Sequence, residues 1–104
     1  MVAQPKREKV RILRTTPASG WLAVYAVRGE EGGRAKVEQE GVSVFALCED
    51  EEGDRFVSGI REDNELCVMR EDFVGHFSVK NRHRIREAAE KFVRARAQER
   101  GEII

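Results

Sequence analysis

The sequence predicts an α+β domain, in which an antiparallel meander of about five strands precedes a short helical turn and one C-terminal amphipathic helix. Apolar runs fill the first 70 residues, loops of hairpin length separate these runs, and the apolar period becomes helical near residue 71. Residues 1–8 are polar and predict a flexible N-terminal segment, whereas residues 9–104 predict a single domain. The strands are predicted between about residues 9 and 70, and a sheet curled into a half-barrel is an alternative to an open one.

The first two predicted strands cover residues 9–15 and 21–29. Between them, residues 16–20 (TPASG) contain a proline and a glycine, which suit a turn. The second strand is apolar on both faces and is therefore predicted to be central in the sheet. Trp21 and Tyr25 lie within this apolar run, which favours a place in the core over an exposed stacking surface.

The third predicted strand covers residues 35–49 and is apolar on both faces from Val42 to Cys48, as expected for a strand that is buried on both sides. The fourth and fifth strands cover residues 55–61 and 65–70. They are joined by a tight turn in which Asn64 can adopt a positive φ. Because consecutive strands are linked by short loops, we expect an antiparallel meander.

Residues 71–77 are interpreted as one turn of helix that starts at Asp72. A longer helix is predicted over about residues 79–100 and ends at Gly101. Its predicted apolar stripe is narrow and rich in alanine: Ile85, Ala88, Ala89, Phe92 and Ala95. Such a stripe permits close packing on a sheet and supplies little apolar area.

Charge is sorted along the chain, although the formal net charge is zero. Residues 1–29 carry six Lys or Arg and one acid. Residues 30–72 carry five Lys or Arg and fourteen acids, and residues 79–100 carry eight Lys or Arg and three acids. A chain with basic ends and an acidic middle has oppositely charged surfaces for partners or for its own folding.

The two cysteines and two histidines form a nominal zinc set, but their spacing does not fit a zinc site. No CxxC pair exists, and His76 and His83 lie seven residues apart. Cys48 and Cys67 lie in apolar runs and are interpreted as buried, reduced thiols of a cytoplasmic protein. We find no signal peptide or membrane-spanning run, and we predict no metal, no cofactor and no membrane partner.

No complete set of catalytic groups is found, so the sequence favours a non-enzymatic protein. The remaining enzyme hypothesis places His76 beside Asp72 and Arg70, where the last strand meets the short helical turn. The acidic residues at 49–54 are interpreted as a solvated hairpin loop. The glycines at 29–33 lack the following Lys-Ser/Thr of a phosphate-binding loop.

The candidate binding residues are cations of the C-terminal helix: Lys80, Arg82, Arg84, Arg86 and Arg94. Arginine suits phosphate and carboxylate because its guanidinium is planar and always charged. Arg82 and Arg86 are expected to lie one helical turn apart and to hold one anionic group between them. The alternative is that these arginines pair with the acidic middle of the chain.

The sequence therefore predicts a small cytoplasmic binding domain whose partner is another protein or a second copy of the chain. The strands with two apolar faces support this prediction, because one alanine-rich helix covers only one face of a sheet. The alternative prediction is a nucleic-acid-associated accessory protein that contacts phosphates through the basic helix.

Overall fold

The computed structural model describes residues 9–30 and 33–101, so the predicted flexible segment 1–8 lies outside the described residues. Its strands and helix are β1 (Arg11–Val27), β2 (Lys36–Glu49), β3 (Arg55–Gly59), β4 (Phe73–Ser78) and α1 (Ile85–Glu99). Two 3₁₀ segments cover Cys67–Met69 and Val79–Arg84. The strands form one sheet in the order β3-β2-β1-β4. The predicted α+β class is confirmed, with four strands in the described residues where about five were expected.

The chain divides into two compact units, and each unit is made of two separate segments. In the described residues, the first unit combines the N-terminal part up to Ser19 with Val42–Glu71, and the second combines the part between Gly20 and Gly41 with the C-terminal part from Asp72 onward. Strands β1 and β2 each contribute one part to each unit. The two units therefore have separate buried clusters, which are described in turn.

β1 is a single strand where the sequence predicted two strands and a turn. Gly20 has a φ of 74°, as its type permits, but the chain continues as a strand through this residue. β4 pairs with β1 only over Trp21–Tyr25, so Pro17 lies outside that hydrogen-bonded ladder. Proline lacks an N–H donor, and at position 17 none is required for pairing with β4. The predicted turn at 16–20 is therefore wrong.

The first unit places Ala46, Cys48 and Leu66 in one buried cluster. Cys48 and Cys67 are buried and form no disulfide bond with each other, as predicted. The predicted fifth strand at 65–70 is wrong: Cys67–Met69 form a 3₁₀ turn, and only an isolated bridge joins Ile60 to Leu66.

The Ser58 hydroxyl connects β3 to the 3₁₀ turn at Cys67–Met69 by hydrogen bonds. It accepts a hydrogen bond from the Val68 N–H at 3.2 Å and donates one to the Gly59 carbonyl at 2.8 Å. Asn64 ends the preceding turn with a φ of 67°, as the sequence predicted.

The second unit contains β4, which the sequence misassigned as a turn of helix. β4 runs antiparallel to β1, with Leu22 opposite Phe77 and Ala23 opposite His76. Leu22, Val24 and Ile85 form the buried cluster of this unit, and Val37, Val74 and Phe77 pack against it. The apolar residues of 71–77 thus fit a strand, because pairing with β1 leaves them half-buried on the sheet.

The predicted helix at 79–100 is confirmed in its C-terminal part only. Val79–Arg84 form a 3₁₀ segment, α1 follows as Ile85–Glu99, and Gly101 ends it with a φ of 73°. The buried residues of α1 are Ile85, Ala89 and Ala97, whereas Ala95 is exposed, contrary to the expected stripe. No helix among the described residues has both the length and the apolar character needed to cross a membrane.

Candidate functional site

The candidate site is the basic segment, which we define as Val79–Arg84 (VKNRHR). It begins where β4 ends, and the Ser78 Oγ accepts a hydrogen bond from the Lys80 N–H at 3.3 Å. Asn81 has a φ of −106° and a ψ of 19°, which interrupts the helical geometry. Every residue of the segment is exposed, and none is acidic. The local fold therefore displays three permanent cations within five residues.

The cations of the basic segment have no acidic partner in the described part of the chain. Lys80, Arg82 and Arg84 form no ion pair or side-chain hydrogen bond with any residue in 9–30 or 33–101. Many other cations of the chain are paired with acids: Lys9, Arg11, Arg34, Lys36, Arg55, Arg61, Arg86 and Lys91. The three cations thus keep their full hydrogen-bonding capacity for an external anion.

The position of the basic segment adds to its positive potential. It lies directly before α1, whose N-terminal end carries the positive end of the helix dipole. Glu87, the acidic residue of the first turn, forms an ion pair with Lys91 at 3.3 Å. An anion bound at the basic segment is therefore favoured by the cations and by the dipole together.

Arg86 has a different environment from the other predicted binding residues. Its Nη1 donates to the Ala35 carbonyl at 2.6 Å and to Glu90 Oε2 at 3.1 Å. Arg82 lies in the 3₁₀ segment and Arg86 in α1, so the continuous helix that was expected to align them is absent. Arg82 shares the exposed basic segment with Lys80 and Arg84, whereas Arg86 lies in a contact between α1 and the residue before β2.

Arg94 is exposed and has no ion pair among the described residues. Along α1 it lies nine residues after Ile85, which corresponds to about 14 Å at the rise of an α-helix. Arg94 is therefore separated from the basic segment and is able to contact only a ligand that extends along the helix.

Trp21 is the residue of this region that the sequence assigned wrongly. It was predicted to lie in the core, but its exposed fraction is 40%. Its strand partner is Ser78, the residue that caps the basic segment. Next to it, Val79 is 41% exposed, and a Cβ atom added at Gly20 would lie 3.8 Å from Val79 Cγ2. The position of Trp21 directly after a glycine was the only hint in the sequence that the apolar run begins outside the core.

His76 does not form the helical pair with Asp72 that the enzyme hypothesis required. Both lie on or next to an extended strand, where residues four apart are separated by about 13 Å. The His76 ring contacts the Phe73 ring edge-on, with 4.9 Å between centroids. Burial lowers the pKa of His76, so the neutral imidazole is favoured.

The acidic hairpin loop is organised by Asp50. Its Oδ1 accepts hydrogen bonds from the backbone N–H groups of Glu52 and Asp54 at 2.9 and 3.0 Å. The carboxylate oxygens of these three residues lie within 4.8 Å of one another. At the start of the loop, Arg11 and then Arg55 hold the pKa of Glu49 below its ordinary value. The loop is thus a hydrogen-bonded surface turn, in keeping with its composition.

Neither a family model, nor a curated protein, nor a solved structure matches this chain.

Proposed function

We propose that this protein is a small non-enzymatic domain that binds nucleic acid through its phosphates, with Lys80, Arg82 and Arg84 as the principal contacts. The observation that supports this proposal is the exposure of these three cations without an acidic partner in the described residues. Phosphate contacts need donors that are charged and accessible, and arginine provides two parallel donors to one phosphate. Arg94 extends the contact for a ligand that follows α1.

The distribution of acidic residues along the chain also supports binding at the basic segment. Residues 30–72 carry fourteen acids and five cations, so most of the negative charge lies outside the basic segment. These acids repel a phosphate backbone, and the attraction is concentrated at the basic segment. Binding through so few cations releases few counterions, and we expect a slope of log K against log salt of about −2 for a single strand and about −3 for a duplex.

The test is a fluorescence-anisotropy titration with labelled single-stranded DNA, duplex DNA and single-stranded RNA at several salt concentrations. The variant K80Q/R82Q/R84Q is expected to lose most of the affinity and to flatten the salt dependence. The matched control is K9Q/R55Q/K91Q, which removes the same formal charge from cations that are exposed and already paired with acids. The control is expected to retain most of the binding.

Two results would overturn this proposal. One is the absence of binding by the unaltered protein at about 100 μM and low salt, since non-specific binding is normally stronger than that. The other is an equal loss of affinity in the two triple variants, which would indicate that net charge matters and the basic segment does not.

A second candidate function is association of two copies through the first unit. In β3, Val57 is 54% exposed and pairs with Leu47 of β2. Phe45, two residues away on β2, lies on the same face of the sheet and is half-buried, as is Leu47. A second copy that places the same face against this one would cover these side chains, in a two-fold arrangement. A curled half-barrel would cover them within a single chain.

Light scattering coupled to size-exclusion chromatography distinguishes these arrangements. A dimer has twice the chain mass of 11.9 kDa, and V57K is expected to return it to a monomer. A mass near 11.9 kDa at high protein concentration would contradict self-association.

As the cellular location we propose the cytoplasm, where thiols such as those of Cys48 and Cys67 stay reduced.

A further inference from the structure

We infer that the basic segment accepts single-stranded nucleic acid in preference to a duplex, and that Trp21 stacks on one base of the bound strand. This inference rests on the phosphate contacts proposed above, and it adds a second recognition element to them. It identifies the class of ligand by the chemistry of an exposed aromatic ring beside unpaired cations.

The sheet register places Trp21 beside the start of the basic segment. Trp21 and Ser78 are directly opposed in the antiparallel pair of β1 and β4. Opposed side chains point to the same face, with Cβ atoms about 5 Å apart. The Ser78 Oγ accepts a hydrogen bond from the backbone N–H of Lys80 at 3.3 Å, so Ser78 is opposite Trp21 in the sheet and is bonded to the backbone of the first residue that carries a cation.

The indole lies at the end of the paired region of β1 and β4. Ala23, the next residue on the same face of β1, is fully buried, whereas Trp21 is 40% exposed. Val79, which directly precedes Lys80 in the chain, is 41% exposed. A large aromatic side chain is costly to leave in water, and covering it with the flat face of a base recovers that cost.

A single strand fits this arrangement better than a duplex does. In a duplex the bases are stacked on one another, and a protein must unstack them before a side chain can take their place. The bases of a single strand are free to stack on an aromatic ring while the adjacent phosphates contact cations. One indole followed by Lys80, Arg82 and Arg84 provides both kinds of contact within one short stretch of surface.

The chain contains a single tryptophan, so its fluorescence reports on Trp21 alone. The ligands are a DNA strand and an RNA strand of about ten nucleotides, a duplex of the same DNA sequence, and an abasic DNA strand of the same length. Quenching of the indole by the DNA strand, the RNA strand or both is expected, with little quenching by the abasic strand. The abasic strand is expected to bind measurably by anisotropy, because it retains the phosphates.

Two substitutions separate stacking from burial. W21F keeps an aromatic ring and is expected to retain affinity for the base-containing strand within about threefold. W21L keeps apolar volume without a ring and is expected to weaken that affinity by roughly 5- to 150-fold, the usual effect of losing one stacked base. Neither substitution is expected to change binding of the abasic strand. Circular dichroism confirms folding, and if W21L is unfolded, the quenching experiment with the unaltered protein decides.

The outcomes separate this inference from the proposal on which it rests. Equal binding of abasic and base-containing strands without quenching would overturn the stacking inference and leave the phosphate contacts supported. Tighter binding of the duplex than of either strand would overturn the single-strand preference. Binding of none of the ligands would overturn the proposed function itself.

Discussion

Arg86 and Glu90, one turn apart on α1, bind the two polar backbone groups of the same residue, Ala35. Arg86 Nη1 donates to the Ala35 carbonyl at 2.6 Å, and the Ala35 N–H donates to the Glu90 carboxylate at 3.2 Å from Oε2. The two side chains also pair with each other at 3.1 Å. The N–H and carbonyl groups of Ala35, just before β2, thus have hydrogen-bond partners on a helix and not on a neighbouring strand.

We predict that Arg82 and Arg86 respond differently to the same substitution. R86Q is expected to lower the free energy of unfolding by about 1 kcal/mol, because it removes charged hydrogen bonds to Ala35 and Glu90. R82Q is expected to change it by no more than about 0.5 kcal/mol, as for other exposed positions, while weakening nucleic-acid binding. Urea denaturation and the anisotropy titration check the two effects. Equal destabilisation by both substitutions would contradict the separation of roles.

Glu90 is predicted to make the stability depend on pH in the acid range. The Ala35 N–H, and to a smaller extent Arg86, lower the pKa of Glu90 below its ordinary value of 4.5. The unfolded chain therefore takes up the proton first, so the contribution of Glu90 is present above pH 4.5 and is lost as the pH falls through the folded pKa. Urea midpoints measured across this range are expected to show a shallower pH dependence in E90Q.

The control for this prediction is R86Q. Since the Ala35 N–H has the largest single effect on Glu90 and remains in R86Q, this variant is expected to keep part of the dependence on pH. If E90Q and the unaltered protein lose stability in parallel on acidification, the predicted linkage is wrong.

His76 is predicted to add a second, separate pH dependence. Burial lowers its pKa from the ordinary value of 6.5. As the pH falls below 6.5, the unfolded chain binds a proton before the folded protein does, and stability decreases until the folded pKa is passed. NMR titration of the His76 imidazole is expected to give a midpoint below 6.5. A midpoint at or above that value would show that the ring is solvated or paired with an acid.

Gly29 is predicted to tolerate no side chain. A Cβ atom at this position would overlap the carbonyl oxygen of Arg34, which belongs to the backbone and has no rotamer to adopt. G29A is therefore expected to destabilise the protein by about 2 kcal/mol or more. G41A is the matched control, because nothing lies within 4 Å of the added atom. Thermal denaturation compares the two variants, and similar melting temperatures would contradict the close approach of the backbone at Gly29.

The sequence predicted those parts of the fold that local chemistry determines. β2 has a continuous apolar run, α1 has a helical apolar pattern, and Gly101 and Asn64 have the positive φ expected of their types. The segment 71–77 was misassigned because Phe73, Val74 and Phe77 also have the spacing of a helical face. Only the distant strand β1, which pairs with β4, determines that this segment is extended. Such pairing is absent from any local pattern.

The candidate site was predicted in part. Composition identified the cations between residues 79 and 86, but it gave no information about which of them have partners. Arg86 is engaged because Ala35, 51 residues earlier in the chain, reaches the same turn of α1. Trp21 was assigned to the core because apolar neighbours usually indicate burial, and the end of the β1–β4 ladder at this residue is a property of the folded sheet.

The division of each unit between two distant segments has a consequence for synthesis on the ribosome. Leu22 and Val24 are made early, yet Ile85, which completes their cluster, emerges more than 60 residues later. Until then these apolar side chains have no α1 to cover them, and the nascent chain exposes a strand that is prone to wrong pairing. We expect slow folding dominated by contacts between distant residues. The charged residues Lys9, Arg11 and Arg14, just before and at the start of β1, then act as protection against association of unfinished chains.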